Sequence, residues 1–176
     1  DLAFFIHLDY YCFAMSIFEN IFSALNKAKI AYLVVGGVAV NLHGYTRFTG
    51  DLDLLVLLEE KNLKKLDGVM KKLTYSERIP VSVLELRDNK KVKEWLKVKN
   101  LKAYSFLPPA HTLLQIDIII EESLKFDFFC RRKVTKRING VSIPIVCLDD
   151  LIAMKRKANR AQDVQDIQSL IDLKGL

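Results

Sequence analysis

The chain has 176 residues, 51% of them hydrophobic and 27% charged, which supplies apolar material for one packed core and argues against a disordered chain. Lysine and arginine outnumber aspartate and glutamate by 27 to 21, a net charge of +6; so modest a surplus suits a nucleotide or RNA partner and a solvated helix face equally well. Cys12, Cys130 and Cys147 are too few and too scattered for a disulfide framework, and no Cys-x-x-Cys or histidine cluster points to zinc; they read as reduced, mostly buried thiols of a cytoplasmic protein.

The N-terminal stretch DLAFFIHLDYYCFAMSIFEN lacks a basic leader, carries Asp1 and Asp9, and is too interrupted to span a bilayer. Met15 reads as a natural start, so residues 1–14 are expected to be an extension and 15–176 the domain proper. From Ser16, a plausible N-cap, to Lys29, apolar Ile17, Ile21, Phe22 and Leu25 recur at helical spacing. AYLVVGG at 31–37 is a short β-prone run ended by paired glycines, and 38–44 reads as a short helix closed by Gly44.

A second strand is expected over 51–57 and a helix over 61–73 that buries Leu63, Leu66, Val69, Met70 and Leu73. Helical turns surround VKEWLK, broken by Asp88-Asn89, and the lysines from Lys90 to Lys102 read as a solvated face. Strands follow over 102–106 and 113–120, then a short helix over 123–131. Asn139-Gly140 marks a type I′ turn between strands 134–138 and 141–146, and the tail supplies one or two closing helices. Trp95, Tyr104 and Phe106 are expected in the core, and His43 as a packing residue. The alternation predicts an α/β (α+β) domain: a mixed β-sheet flanked by helices, with C-terminal helices.

Three aspartates stand out against this apolar background. Asp51 and Asp53 sit two residues apart on one strand, so they project to the same side with Cα atoms about 7 Å apart. Asp117 lies mid-strand in LLQIDIII and completes a cluster if the two strands pair. Three carboxylates on one patch repel unless cations neutralise them. All-oxygen sites of this kind suit Mg²⁺ or Mn²⁺ and serve phosphoryl or nucleotidyl transfer, with two ions about 3.5–4 Å apart. Gly36 and Gly37, at a strand-to-helix junction, leave backbone N–H groups bare for a phosphate, although no Walker loop is present. Plainer readings stand beside these: Asp51 and Asp53 as a strand-edge pair bridged by Arg47, Asp117 paired with a lysine or capping a loop, the glycines as a tight turn.

The stretch GGVAVNLHGYTRFTGDLDLLV resembles the signature of the DNA-polymerase-β-type nucleotidyltransferase superfamily, and Arg47, Thr49, Asp51 and Asp53 (R-x-T-x-D-x-D) are similar to the minimal nucleotidyltransferase and AbiEii-like toxin group. The tail, with Lys155, Arg160, Asp163 and Asp166, resembles the same group. The thirteen residues between Gly37 and Asp51 are at the long end of that spacing. The resemblance implies a nucleotidyltransferase fold and transfer of a nucleoside monophosphate from an NTP, ATP first, with two Mg²⁺ or Mn²⁺. It implies Asp51, Asp53 and Asp117 as catalytic and metal-binding residues, and Gly36, Gly37, Arg47, Thr49 and Lys155 at the nucleotide. The acceptor stays open among a tRNA or RNA end, a protein side chain and a small molecule, and a cognate antitoxin is an implied partner. Lys155 and Arg160 also read as helix-surface ion-pair partners of Asp163 and Asp166. A catalytically silent nucleotide-binding or protein-interaction module of the same fold is the alternative.

Overall fold

The computed structural model describes residues 17–98, 100–121 and 124–175. Helix α1 covers 17–27. It is followed by β1 (Tyr32–Val34), α2 (Gly36–His43), β2 (Asp51–Val56), α3 (Glu60–Lys72), β3 (Ser76–Glu77), a 3₁₀ turn (Val83–Arg87), α4 (Asn89–Val98), β4 (Ala103–Leu107) and β5 (Gln115–Ile119). The chain ends with α5 (Phe126–Arg131), the hairpin β6 (Val134–Ile138) and β7 (Val141–Ile145), then α6 (Leu148–Ala158) and α7 (Ala161–Lys174). The proposed extension 1–14, the Ser16 cap and Cys12 lie outside the described residues.

Among the described residues, seven strands form one mixed sheet in the order β3-β4-β5-β2-β1-β7-β6. β2 pairs in parallel with β5, and β1 in parallel with β7; the other neighbours are antiparallel. The mixed sheet flanked by helices is the architecture that the alternating pattern predicts. On β2 the period of two is read directly: Leu52 and Leu54 are fully buried, each worth roughly 2 kcal/mol of apolar burial, and Asp51 and Asp53 therefore share the other face. Trp95, Tyr104 and Phe106 belong to the core as expected. Lys90, Lys91, Lys93 and Lys97 lie on the exposed face of α4, and Asp88 Oδ1 accepts from the main-chain N–H of Lys90 at 2.9 Å, which starts that helix.

Several boundaries differ from expectation. α2 starts at Gly36, two residues early, because the Val35 carbonyl already accepts from the N–H of Ala39. β3 is two exposed residues held by β4, too short to carry a periodic signal. The 139–140 turn has φ of 47° and 81°, the mirror-image geometry that Asn-Gly favours. Cys130 and Cys147 are free thiols but half-buried, not buried. Asn62, a polar residue in the buried stripe of α3, went unforeseen. Its side chain takes a hydrogen bond from the Ala31 N–H at 2.8 Å and donates to the carbonyls of Ala31 and Leu57 at 3.0 and 2.9 Å, stitching β1 to the end of β2. No described helix is long and apolar enough to cross a membrane.

Candidate active site

The parallel pairing of β2 with β5 sets Asp53 directly beside Asp117. Asp51, two residues upstream on the same face, joins them, and oxygen atoms of the three carboxylates all lie within 4.8 Å of one another. Asp117 is thus a mid-strand member of the cluster, not a loop cap or a lysine partner. Asp51 Oδ1 lies 3.1 Å from the Thr49 hydroxyl, and Asp117 Oδ1 accepts from Gln115 Nε2 at 2.9 Å. Among the described residues no ion pair reaches any of the three. Burial first, then the charges of Asp51 and Asp117, push the Asp53 carboxyl up to about 7; Arg160 and Lys155 pull it the other way. Three half-buried carboxylates with oxygen donors only, crowded and not bridged by a cationic side chain among the described residues, fit a hard divalent ion such as Mg²⁺ or Mn²⁺.

The paired glycines are needed by the cluster itself. Gly36 has φ +62°, and a Cβ there would stand 1.8 Å from Asp53 Oδ2. A Cβ on Gly37 would stand 2.5 Å from Thr49 Oγ1 and 3.0 Å from Arg47 Nη2. The turn is therefore closed against the triad and its lead-in loop at distances that no other residue permits. Main-chain pairing fixes it there, since Val35 N–H donates to the Asp53 carbonyl at 3.0 Å.

The loop between α2 and β2 is clamped by Asn41. Its side chain donates to the Arg47 carbonyl at 2.8 Å and accepts from the Arg47 N–H at 3.0 Å. The Arg47 guanidinium then donates through Nε and Nη2 to both oxygens of Asp166, at 2.8 and 2.9 Å, and through Nη1 to the Phe48 carbonyl. It does not bridge Asp51 and Asp53, which removes the strand-edge reading. Lys155 reaches Asp163 Oδ1 at 3.0 Å and Asp166 Oδ2 at 2.6 Å. These are not surface pairs: Lys155, Asp163 and Asp166 are all buried, Asp166 completely. Burial alone would raise the Asp166 carboxyl, but hydrogen bonds from Lys155 and Arg47 outweigh it and hold the group below the usual carboxylate range. Arg160, grouped with Lys155 in the sequence, is exposed; its main-chain N–H donates to Asp163 Oδ2 at 3.1 Å and its carbonyl accepts from the Asp163 N–H at 3.0 Å.

The residues that the sequence groups around the three aspartates are held by different links. Asp51, Asp53 and Asp117 form the cluster, Gly36 and Thr49 touch it, Gly37 packs against Thr49 and Arg47, and Arg47 and Lys155 are tied to buried carboxylates, Lys155 acting on Asp53 only through its charge. Asn41 and Gln115 were missed. Gln115 had a readable signal, two residues before Asp117 on the same strand face; Asn41, a polar residue in a short helix, had none. His43 is a packing residue, its Nε2 donating to the Val146 carbonyl at 2.9 Å, and burial lowers its pKa.

No protein-family model matches the sequence, and no curated protein sequence does. Solved structures do match the fold. An antigenic nucleotidyltransferase-like protein from Paracoccidioides brasiliensis superposes with a TM-score of 0.61 at 17% identity, over 90% of this chain and 75% of that one. The lincosamide antibiotic adenylyltransferase LnuA, with lincomycin bound, gives 0.54 at 13% identity over 85% and 90%. ANT(2″)-Ia in complex with adenylyl-2″-tobramycin gives 0.56 at 11% over 89% and 87%. The chain has the nucleotidyltransferase fold.

Proposed function

We propose that the protein is a metal-dependent nucleotidyltransferase that moves a nucleoside monophosphate from an NTP, ATP in the first instance, to an acceptor hydroxyl and releases pyrophosphate. The observation that carries this reading is the convergence of Asp51, Asp53 and Asp117 within 4.8 Å, with no ion-pair partner among the described residues and with Gly36 closed against them. Two Mg²⁺ or Mn²⁺ ions held by these carboxylates would neutralise charge at the α-phosphate and ease loss of the acceptor proton.

The chain's own residues have distinct tasks. Gly36 and Gly37 offer the first N–H groups of α2 to the triphosphate. Thr49 orients Asp51, and Gln115 orients Asp117. Arg47, held by Asp166, places positive charge beside the glycine turn, and Lys155, held by Asp163 and Asp166, adds its charge to the field at Asp53, while the network they form stays close to neutral. LnuA with lincomycin and ANT(2″)-Ia with adenylyl-2″-tobramycin support nucleotidyl transfer as the class of reaction. The resemblance to the AbiEii-like group supports a role in a toxin-antitoxin or stress system with a cognate protein partner.

The test is incubation with each α-labelled nucleoside triphosphate, Mg²⁺ or Mn²⁺, and cell extract or total tRNA. Label transfer is expected for the wild type and absent for Asp51→Asn/Asp53→Asn. Equal absence of transfer in both would leave a silent module of the same fold.

A further inference from the structure

Strand β6 closes one end of the sheet and pairs with β7. The register of that hairpin decides what its outer side offers. Ile138 and Val141 flank the turn at 139 and 140 and face each other, the position at which a two-residue hairpin exchanges both main-chain hydrogen bonds. Exchange then recurs at every second pair, Lys136 with Ile143 and Val134 with Ile145. Thr135 falls between them, opposite Pro144, which has no N–H to give. The main-chain N–H and C=O groups of Thr135 and Arg137 therefore point away from β7. Among the described residues no turn, loop or side-chain hydrogen bond reaches these four groups, and both residues are exposed. The other end of the sheet is β3, two residues long, so a further strand finds enough length only at β6.

Charge selects the occupant. Between Asp127 and Asp149 the chain has five basic residues, Arg131, Arg132, Lys133, Lys136 and Arg137, and no acidic one. Arg132 pairs with Asp150 at 3.3 Å and lies over the Phe128 ring. Lys133 donates to the Cys130 carbonyl at 3.3 Å, and Glu19 comes to the turn, where it accepts from Asn139 Nδ2 at 3.2 Å. Among the described residues no acidic side chain forms an ion pair with Arg131, Lys133, Lys136 or Arg137. Lys136 and Arg137 are consecutive on a strand and so stand on opposite faces of the sheet, one cation on each side of the open edge. A second copy of this chain, pairing β6 with β6, would bring these cations against their own counterparts. A nucleic-acid backbone would meet the cations and the two N–H groups, but its phosphates would be repelled by the two outward carbonyls. An extended peptide with carboxylates answers both features: its own N–H and C=O groups continue the ladder, and its side chains meet the cations.

We propose that β6 is a docking edge for a protein partner that presents an acidic segment in extended form, added to the sheet as a further strand beside Thr135 and Arg137. The proposal is independent of the nucleotidyltransferase reading. β1 and β7 lie between β6 and β2. The edge is therefore three strand spacings, about 14 Å, from the strand that carries Asp51 and Asp53, and docking uses no residue of the carboxylate cluster.

The experiment follows the amide resonances of the full, isotopically labelled chain during titration with acetyl-Glu-Val-Glu-Val-Glu-Val-amide. The same peptide with lysine in place of glutamate and a short oligouridylate are titrated in parallel. The acidic peptide is expected to shift the Thr135 and Arg137 amides and to slow their hydrogen exchange about tenfold or more, and the lysine peptide to leave them unchanged. Two variants locate the contact. Thr135→Pro removes an outward N–H at a position where no β6–β7 hydrogen bond is lost, and Arg137→Glu reverses one charge with the main chain intact. Both are expected to weaken the acidic peptide about tenfold or more with the melting temperature and nucleotide affinity unchanged; Arg137→Glu decides the matter if Thr135→Pro does not fold. An equal response to the lysine peptide overturns the proposal, as does no response to the acidic one. Shifts at these amides with oligouridylate alone would make the edge a nucleic-acid surface, and a concentration-dependent dimer abolished by Thr135→Pro would make it a self-pairing edge; either result overturns the proposal too. None of these outcomes touches the nucleotidyltransferase reading, which label transfer decides.

Discussion

Asp166 is the shared acceptor of two cations: both its oxygens take N–H bonds from Arg47, at 2.8 and 2.9 Å, and Lys155 Nζ lies 2.6 Å from one of them. A fully buried carboxylate thereby ties α7 and α6 to the loop that leads into β2.

Removing that carboxylate leaves Lys155 with Asp163 and takes from Arg47 the carboxylate that it donates to. Breaking a buried ion pair from one side typically costs about 3–5 kcal/mol, because the orphaned charge stays desolvated. Asp166→Ala is expected to lower the melting temperature by on the order of 10 °C, measured by circular dichroism. An unchanged melting temperature would show that the network contributes nothing net.

Gly36→Ala places a methyl group where Asp53 Oδ2 now lies, 1.8 Å from the new Cβ, at a φ of +62°. The variant is expected to lose nucleotidyl transfer and to be destabilised by steric conflict as well as by the roughly 1–2 kcal/mol of a left-handed non-glycine residue. Asp53→Ala in the same chain should recover most of the steric part, since only the Asp53 Cβ, 2.8 Å from the new methyl, remains, and none of the backbone part. Stabilities of the two single variants and the double variant form a cycle, and strict additivity would refute the contact.

The metal-free protein should respond to pH at Asp53 in the sense opposite to Asp166. The Asp53 carboxyl is raised from an ordinary value near 4 to about 7. Between those values the folded chain holds a proton that the unfolded chain has lost, so stability falls as pH rises through this window. Asp166, held low, contributes stability above the usual carboxylate range and loses it only as pH falls below. Added Mg²⁺ or Mn²⁺ should raise the melting temperature more at pH 8 than at pH 6, because ligation needs Asp53 ionised. Asp51→Asn should stabilise the metal-free protein near pH 7 and abolish the metal response. Thermal scans across pH 5–8.5 with and without metal decide it; a metal shift independent of pH contradicts the account.

Asn62 provides a control remote from the chemistry, at the Leu57 end of β2. Asn62→Ala leaves the Ala31 N–H and two carbonyls without their partner, at a cost of about 1–3 kcal/mol. Urea unfolding should show this loss while transfer activity at 25 °C stays at the wild-type level. A loss of activity without a loss of stability would mean that the strut reaches the site.

The sequence by itself determined the pieces of the site and the class of fold. Alternation on β2 put Asp51 and Asp53 on one face, the paired glycines marked the turn, Asn139-Gly140 marked a hairpin, and the helix stripes named the core residues of α1 and α3. These are local properties, written in residues a few positions apart. Only the tertiary structure decided what Asp117, Arg47 and Lys155 do, because their partners are distant in the chain. Register between β2 and β5 sets Asp117 beside Asp53, and no pattern within either strand encodes that register. Burial of α7 turns an exposed-looking run of acids into a buried hub, since Asp166 looks polar in sequence and becomes charged, desolvated and paired only when Arg47 arrives from 119 residues away. The glycines changed meaning for the same reason: what a side chain would strike there is Asp53 itself, a clash that exists only once β1 and β2 lie side by side.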